Sequence, residues 1–146
     1  MPEKERGFTL IELMVIVTIV MLLITIAMVK LVGLQDKAED KTTYGNLAAL
    51  NRSIKIYWAA NGVWPKSLDR TPHQITPAYT TAFIPEYMNK MLEANSSAPP
   101  PASSKAHDNF NASGGWVYFS DEGRIYINAK DYKDYDGKYY TAFLDW

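Results

Sequence analysis

Between Phe8 and Val29 the chain carries one charge, Glu12, and from Leu13 to Val29 only Thr18 and Thr25 interrupt an otherwise apolar run. At about 1.5 Å per residue a helix over this run reaches ~33 Å, enough to cross a hydrocarbon core of about 30 Å. Its β-branched residues lower helix propensity in water. In lipid, however, a spanning backbone must satisfy its own hydrogen bonds, and helix is the only open arrangement that does so. The run therefore predicts a membrane-spanning helix over residues 8–29. An ordinary secretory signal fits poorly. Such signals have a shorter apolar core followed by a small-residue cleavage site, and Ala27-Met-Val-Lys30 is a poor one.

The helix is expected to continue past the membrane surface. No proline occurs from Gln35 to Asn61, and Tyr44, Leu47, Ala48, Ile54, Tyr57 and Trp58 recur at helical spacing. The opposite face is assigned Asp36, Lys37, Asp40, Lys41, Asn51, Arg52 and Lys55. Asn61-Gly62 reads as the C-terminal cap, and Pro65 stands beyond it as a stop. A helix apolar all round in one half and amphipathic in the other calls for lipid or other helices around the first half, and a folded domain on the second.

Residues 63–93 read as irregular structure with short helical pieces, one at Ile84 to Leu92. Ala94 to Gly115, with Pro99 to Pro101, reads as a partly extended surface loop. Its Ser96, Ser97, Ser103 and Ser104 are possible glycan acceptors, a bare loop being the plainer reading. Trp116-Val-Tyr-Phe119 and Arg124-Ile-Tyr-Ile-Asn128, joined through Asp121-Glu-Gly123, predict a β-hairpin. A third strand is expected at about Tyr139 to Leu144, after the Asp136-Gly137 turn. The fold class is thus α+β: a long N-terminal helix packed on a small antiparallel sheet.

Composition excludes several functions. The 15 basic and 16 acidic residues nearly cancel, which argues against duplex binding by a broad basic face. With no cysteine there is no disulfide framework, thiolate metal site or thiol nucleophile. The four Trp and ten Tyr supply aromatic packing in place of cross-links. Ser, His and Asp are present but never in catalytic spacing, so no enzyme and no cofactor is expected.

Glu12 is the informative side chain. An acid inside a spanning segment costs a few kcal/mol unless something pairs with it. A chain cut before Phe8 would carry a new α-amino group about one helical turn from this carboxylate. In a staggered array of identical helices, the amine of one subunit then reaches the carboxylate of the next. Pairing of this kind sets register more than it adds stability. The plain alternative is an acid at the membrane edge, hydrated among headgroups.

Gly7-Phe8-Thr9-Leu10-Ile11-Glu12-Leu13, after the short charged leader Met-Pro-Glu-Lys-Glu-Arg and before an unbroken apolar run, resembles the class III signal sequence of type IV pilins and type II secretion pseudopilins. The resemblance implies cleavage by prepilin peptidase between Gly7 and Phe8, N-methylation of Phe8, and an assembly role for Glu12. It divides the chain into a leader (1–7), a transmembrane and filament-core helix (8–29), its amphipathic continuation (30–61) and a globular head (62–146). It also implies partners: further copies or other pilins, the peptidase, the inner-membrane assembly machinery, and lipid before assembly. Lys4 and Arg6 on one side of the run face Lys30, Lys37 and Lys41 on the other, so the positive-inside rule does not orient the helix. The resemblance places the leader in the cytoplasm, the precursor in the inner membrane, and the product in a periplasmic pseudopilus or surface pilus.

Farther along, Tyr57-Trp-Ala-Ala-Asn-Gly-Val-Trp-Pro-Lys-Ser-Leu68 resembles the segment closing the long helix in many of these proteins, and Gly114 to Asn128 resembles a hairpin common among them. Two departures stand out. No proline kinks the apolar segment, and no cysteines close a C-terminal loop. A DNA-uptake minor pilin and an uncleaved single-pass protein are the alternative functions.

Three weaker signals complete the sequence. Asp131, Asp134 and Asp136 could offer oxygen ligands to Ca²⁺, but the spacing is not that of an EF-hand. A solvated turn balanced by Lys130, Lys133 and Lys138 is preferred, and no metal site is assigned. His73 and His107 read as surface-loop residues. The aromatic cluster Tyr132, Tyr135, Tyr139, Tyr140 and Trp146 is assigned mainly to the core, an exposed adhesive or base-stacking patch being the functional alternative.

Overall fold

The computed structural model describes residues 8–95, 102–129 and 131–140, the Val32 side chain excepted. The leader with Gly7, the three prolines and the end of the expected third strand lie outside those residues. The described chain contains one helix, α1 (Leu10–Asn61), and five short strands: β1 (His73–Thr76), β2 (Tyr79–Thr81), β3 (Ala106–His107), β4 (Trp116–Phe119) and β5 (Arg124–Ile127). It divides into two compact units, Met1–Gln35 and Asp36–Trp146.

In the first unit α1 has no core to turn toward. Its large apolar side chains from Phe8 to Leu31 are between 44% and 77% exposed, on every face of the helix. It is long and apolar enough to cross a membrane. Thr18 and Thr25 return their hydroxyl protons to the backbone, donating to Met14 O and Leu22 O at 2.7 Å each. Neither polar side chain needs water there.

In the second unit Leu47, Leu50, Ile54 and Tyr57 form the buried stripe of α1. The stripe is narrower than spacing alone suggests, since Ala48 is exposed and Trp58 is 46% exposed. Burial of each such side chain stabilises the fold by about 1.5–3 kcal/mol. The helix stops where expected. Gly62 takes positive φ (72°) and its N–H donates to Trp58 O at 2.7 Å. Asn61 donates through Nδ2 to Tyr57 O and to the Tyr87 hydroxyl, both at 2.8 Å.

β4 and β5 form the expected antiparallel hairpin, with Trp116 opposite Ile127 and Tyr118 opposite Ile125. These four face the α1 stripe and join its core. Trp116 Nε1 donates to Leu92 O at 2.7 Å and the Tyr118 hydroxyl to Pro65 O at 2.6 Å, so both polar tips are satisfied. On the other face Phe119 and Tyr126 meet Phe110, with ring centroids 5.8–6.1 Å apart. At the hairpin turn Gly123 has φ 68°, and a Cβ there would fall 2.3 Å from the Trp64 ring. Only glycine fits.

The sheet differs from expectation at its edge. The third strand is β3, parallel to β4, so the sheet is mixed. Tyr139 makes only an isolated bridge to Lys133 among the described residues. Residues 63–93 hold a second hairpin, β1 with β2, that periodicity did not reveal, its strands being four and three residues long. Ile84 to Leu92 is a set of turns, not a helix. Proline at its second position and the placement of Ile84, Met88, Met91 and Leu92 against the α1 core suit a folded-back loop better than one helical face.

Candidate functional site

The N-terminal end of α1 is organised by Thr9. Its hydroxyl donates to Glu12 Oε2 at 2.7 Å and its backbone N–H donates to the same oxygen at 2.9 Å. In return the Glu12 N–H donates to Thr9 Oγ1 at 3.3 Å. This reciprocal pair is a capping box, satisfying donors that a helix otherwise leaves open. The Thr-x-x-Glu spacing signals it in the sequence, yet reading Glu12 only as a lone acid passes over Thr9. Both bonds to the carboxylate fall on Oε2, and the side chain is solvent-exposed. Phe8, just before it, is 73% exposed.

In the acidic loop near the C-terminus Asp131, Lys133, Asp136 and Lys138 are exposed, as a solvated turn requires, but Asp134 departs from that reading. Asp134 is buried. Its Oδ2 accepts from the Tyr44 hydroxyl at 2.7 Å, and its Oδ1 from the Lys138 N–H at 2.8 Å. Asp40, assigned by spacing to the polar face of α1, is 3% exposed. It accepts the Tyr135 N–H at 2.6 Å and the Tyr140 hydroxyl. Burial first, then the bond to Asp134, pushes the Tyr44 pKa far above the usual phenol value. Asp136 pairs with Lys37 at 3.3 Å on the exposed surface, worth at most about 1 kcal/mol. Among the described residues no group of three or more His, Asp or Glu side chains is placed to hold a metal ion.

Of the C-terminal aromatics, Tyr140 is buried and Tyr132 packs against the core, whereas Tyr135 and Tyr139 are half exposed. Trp146 lies outside the described residues. The histidines sit in strands and not in loops. His73 in β1 shares a hydrogen bond of 2.9 Å with Ser67 Oγ, and His107 in β3 lies 3.2 Å from Ser113 Oγ. They are on different sheets and are not brought together.

An exposed apolar helix opened by a Thr–Glu box, and an α+β unit in which a helix packs on a small hairpin sheet, are the architecture of a pilin-like protein. Residues 3–28 match the family of the prokaryotic N-terminal methylation motif. Three relatives are each a type II secretion system core protein G. That of Escherichia coli K12 is 32% identical over 63 residues, 43% of each chain. That of Vibrio cholerae is 34% identical over 63 residues, again 43% of each. That of Dickeya chrysanthemi is 31% identical over 65 residues, 44% of this chain and 42% of its own. The match thus spans under half the length of these relatives. No solved structure matches the chain significantly. The chain thus carries the prepilin-type methylation motif over its N-terminal part and is similar to type II secretion pseudopilins.

Proposed function

We propose that this protein is a structural subunit, not an enzyme, of a pseudopilus of the type II secretion class, stored in the inner membrane and polymerised through its N-terminal helix. The observation that carries the reading is the helix surface from Phe8 to Leu31, apolar on every side and uncovered along its length. Such a surface calls for lipid before assembly and for neighbouring helices after it. The similarity to core protein G favours a pseudopilus over a surface pilus.

In this reading prepilin peptidase cuts between Gly7 and Phe8 and methylates the new amine. That amine, on one subunit, then meets Glu12 of the next, while the assembly machinery draws the subunit out of the membrane. The capping box supports the role of Glu12. It holds the carboxylate by Oε2, so the second oxygen can accept a cation without dissolving the helix end.

Glu12→Leu in the native cell tests this. Mass spectrometry should find a processed chain starting at Phe8, while electron microscopy of filaments shows at least a tenfold drop, the factor that ~1.4 kcal/mol of lost pairing corresponds to. Normal filament yield, or a wild-type chain that does not begin at Phe8, would sink the proposal.

A further inference from the structure

β3 is an edge strand of its sheet. In its parallel pairing the Trp116 N–H donates to Lys105 O at 2.8 Å, which turns the N–H and C=O of Ala106 away from β4. Among the described residues neither of those groups has a hydrogen-bond partner. A cleft of about 470 Å³ lies against them. Ser104 to Asp108 line it without a break, and since neighbours on a strand point to opposite faces, the cleft meets the edge of β3 and not one face. Lys66 to Arg70 form the other wall, and among the described residues no hydrogen bond joins the two walls. The floor is Leu68, Ile84, Met91 and Tyr118, each in the core cluster or packed on it. We propose that this cleft docks an extended acidic segment of a partner protein, which pairs with β3 as a fourth strand.

Backbone, floor and charge point to that occupant. An incoming strand finds its first ladder partners in the Ala106 N–H and C=O. Ala106 lies opposite Trp116, so its methyl is on the face of the sheet that carries Trp116 and Tyr118. So small a side chain leaves space beside Tyr118. The strand residue next to Ala106 can set a large apolar side chain there, over Leu68, Ile84 and Met91, as the anchor of the contact. The rim sets the charge. Lys66, Arg70 and Lys105 are exposed, and the ion pairs among the described residues, Lys37 with Asp136 and Arg124 with Glu122, use none of them. Two carboxylates share the rim. Asp69 Oδ1 already accepts from the Ser67 hydroxyl at 2.6 Å and the Thr71 N–H at 2.8 Å, and Asp108 stands just past the end of β3. Three unpaired cations against two acids, one of them engaged, favour a segment with carboxylates on either side of its apolar residue.

The experiment titrates the synthetic peptide acetyl-Thr-Glu-Thr-Leu-Thr-Glu-Thr-amide into the ¹⁵N-labelled full chain in neutral detergent micelles. Saturable shifts centred on the Ala106 and His107 amides are expected, with a Kd below about 1 mM and slowed hydrogen exchange at the Ala106 N–H. Serine in place of the peptide's leucine should weaken binding at least tenfold. Of two peptides N-methylated on alternate residues, the one that loses the amides facing β3 should bind at least tenfold more weakly, and the other as well as the parent. These variants leave the protein untouched. On the protein, Ala106→Trp should fill the cleft and weaken binding at least tenfold. Lys66→Glu with Arg70→Glu should do the same for this peptide and transfer the preference to a twin carrying lysine for glutamate; near-UV circular dichroism checks that both variants fold. Absence of saturable binding, shifts centred elsewhere, or equal binding by the two N-methylated peptides would remove the strand. Shifts of Ala106 that grow with protein concentration in the absence of peptide would give the edge to a second copy. Each of these overturns the proposal.

Discussion

Asn128, immediately after β5, has no exposed surface, and its side chain is the hub of the loop before β4. Its Oδ1 accepts from the N–H groups of Asn111 and Ala112 at 3.1 and 3.2 Å. Its Nδ2 donates to Asn111 Oδ1 at 2.6 Å, to Gly114 O at 3.1 Å and to Ser113 Oγ at 3.4 Å. In Asn128→Ala, Asn111 and Ser113 can turn to water because both are exposed. Gly114 O and the Ala112 N–H, under cover, cannot do so without moving the loop. Each buried group left unmade costs about 1–3 kcal/mol, so the variant should lose roughly 2–6 kcal/mol. Ala112 adds to this, since its φ of 53° is held against the ordinary preference by that bond. Urea or thermal unfolding of the micelle-bound protein, followed by tryptophan fluorescence and near-UV circular dichroism, measures the loss. Ser113→Ala should cost under about 1 kcal/mol, because its hydroxyl is exposed and its bond to Asn128 is long. Asn128→Asp keeps the acceptor but sets a carboxylate oxygen against Asn111 Oδ1 and Gly114 O in a buried site, and should cost at least as much as Asn128→Ala. A loss below 1 kcal/mol in Asn128→Ala would show that the loop is held by something other than this amide.

Gly123→Ala should lose about 2–4 kcal/mol, from the left-handed φ and from the Trp64 ring 2.3 Å from the added carbon. Trp64 stacks on Trp58 at 5.4 Å, so its fluorescence should shift as well. In a Trp64→Ala background only the backbone cost of about 1–2 kcal/mol should remain, and an unchanged loss there refutes the ring clash. Tyr44, Tyr57 and Tyr118 all have pKa values raised, chiefly by burial. Above about pH 10 the unfolded chain loses these protons while the folded chain keeps them, so stability, complete below pH 10, should fall by up to about 1.4 kcal/mol per pH unit for each tyrosine. Urea midpoints from pH 8 to 11 give the slope; Tyr118→Phe should flatten it, and a level profile in the parent would contradict the buried phenols.

What sequence reasoning recovers follows the range of the forces. The helix from Leu10, its cap at Gly62 and the β4–β5 hairpin are set by neighbours within a few residues, and periodicity finds them. β3 is two residues pairing in parallel across a loop, too short to leave a period. Asp40 misleads because its partners, Tyr135 and Tyr140, are 95 and 100 positions away. A carboxylate among lysines reads as solvated until those distant donors are known. Spacing alone draws Ala48 and Trp58 to the core, because it locates a stripe but not its width. At the candidate site the acid itself was legible, and its local partner was equally so in the Thr-x-x-Glu spacing.

The capping role of Glu12 and the pairing role proposed for it do not compete in the way a buried ion pair and a cap ordinarily would. A carboxylate has about four lone-pair sites, and the capping box occupies two of them on one oxygen. Adding an ammonium from a neighbouring copy therefore need not release Thr9, and the bonds from Thr9 hold the acid in one rotamer before any partner arrives. Fixing a long side chain in advance removes up to about 1–2 kcal/mol of the ordering cost of a later pairing. The same geometry predicts that aspartate is a poorer acid here. One methylene shorter, it reaches back to the Thr9 N–H less well from the third helical position while presenting its second oxygen outward. An exchange of Glu12 for Asp should thus weaken the cap and the preset orientation together while leaving the charge in place.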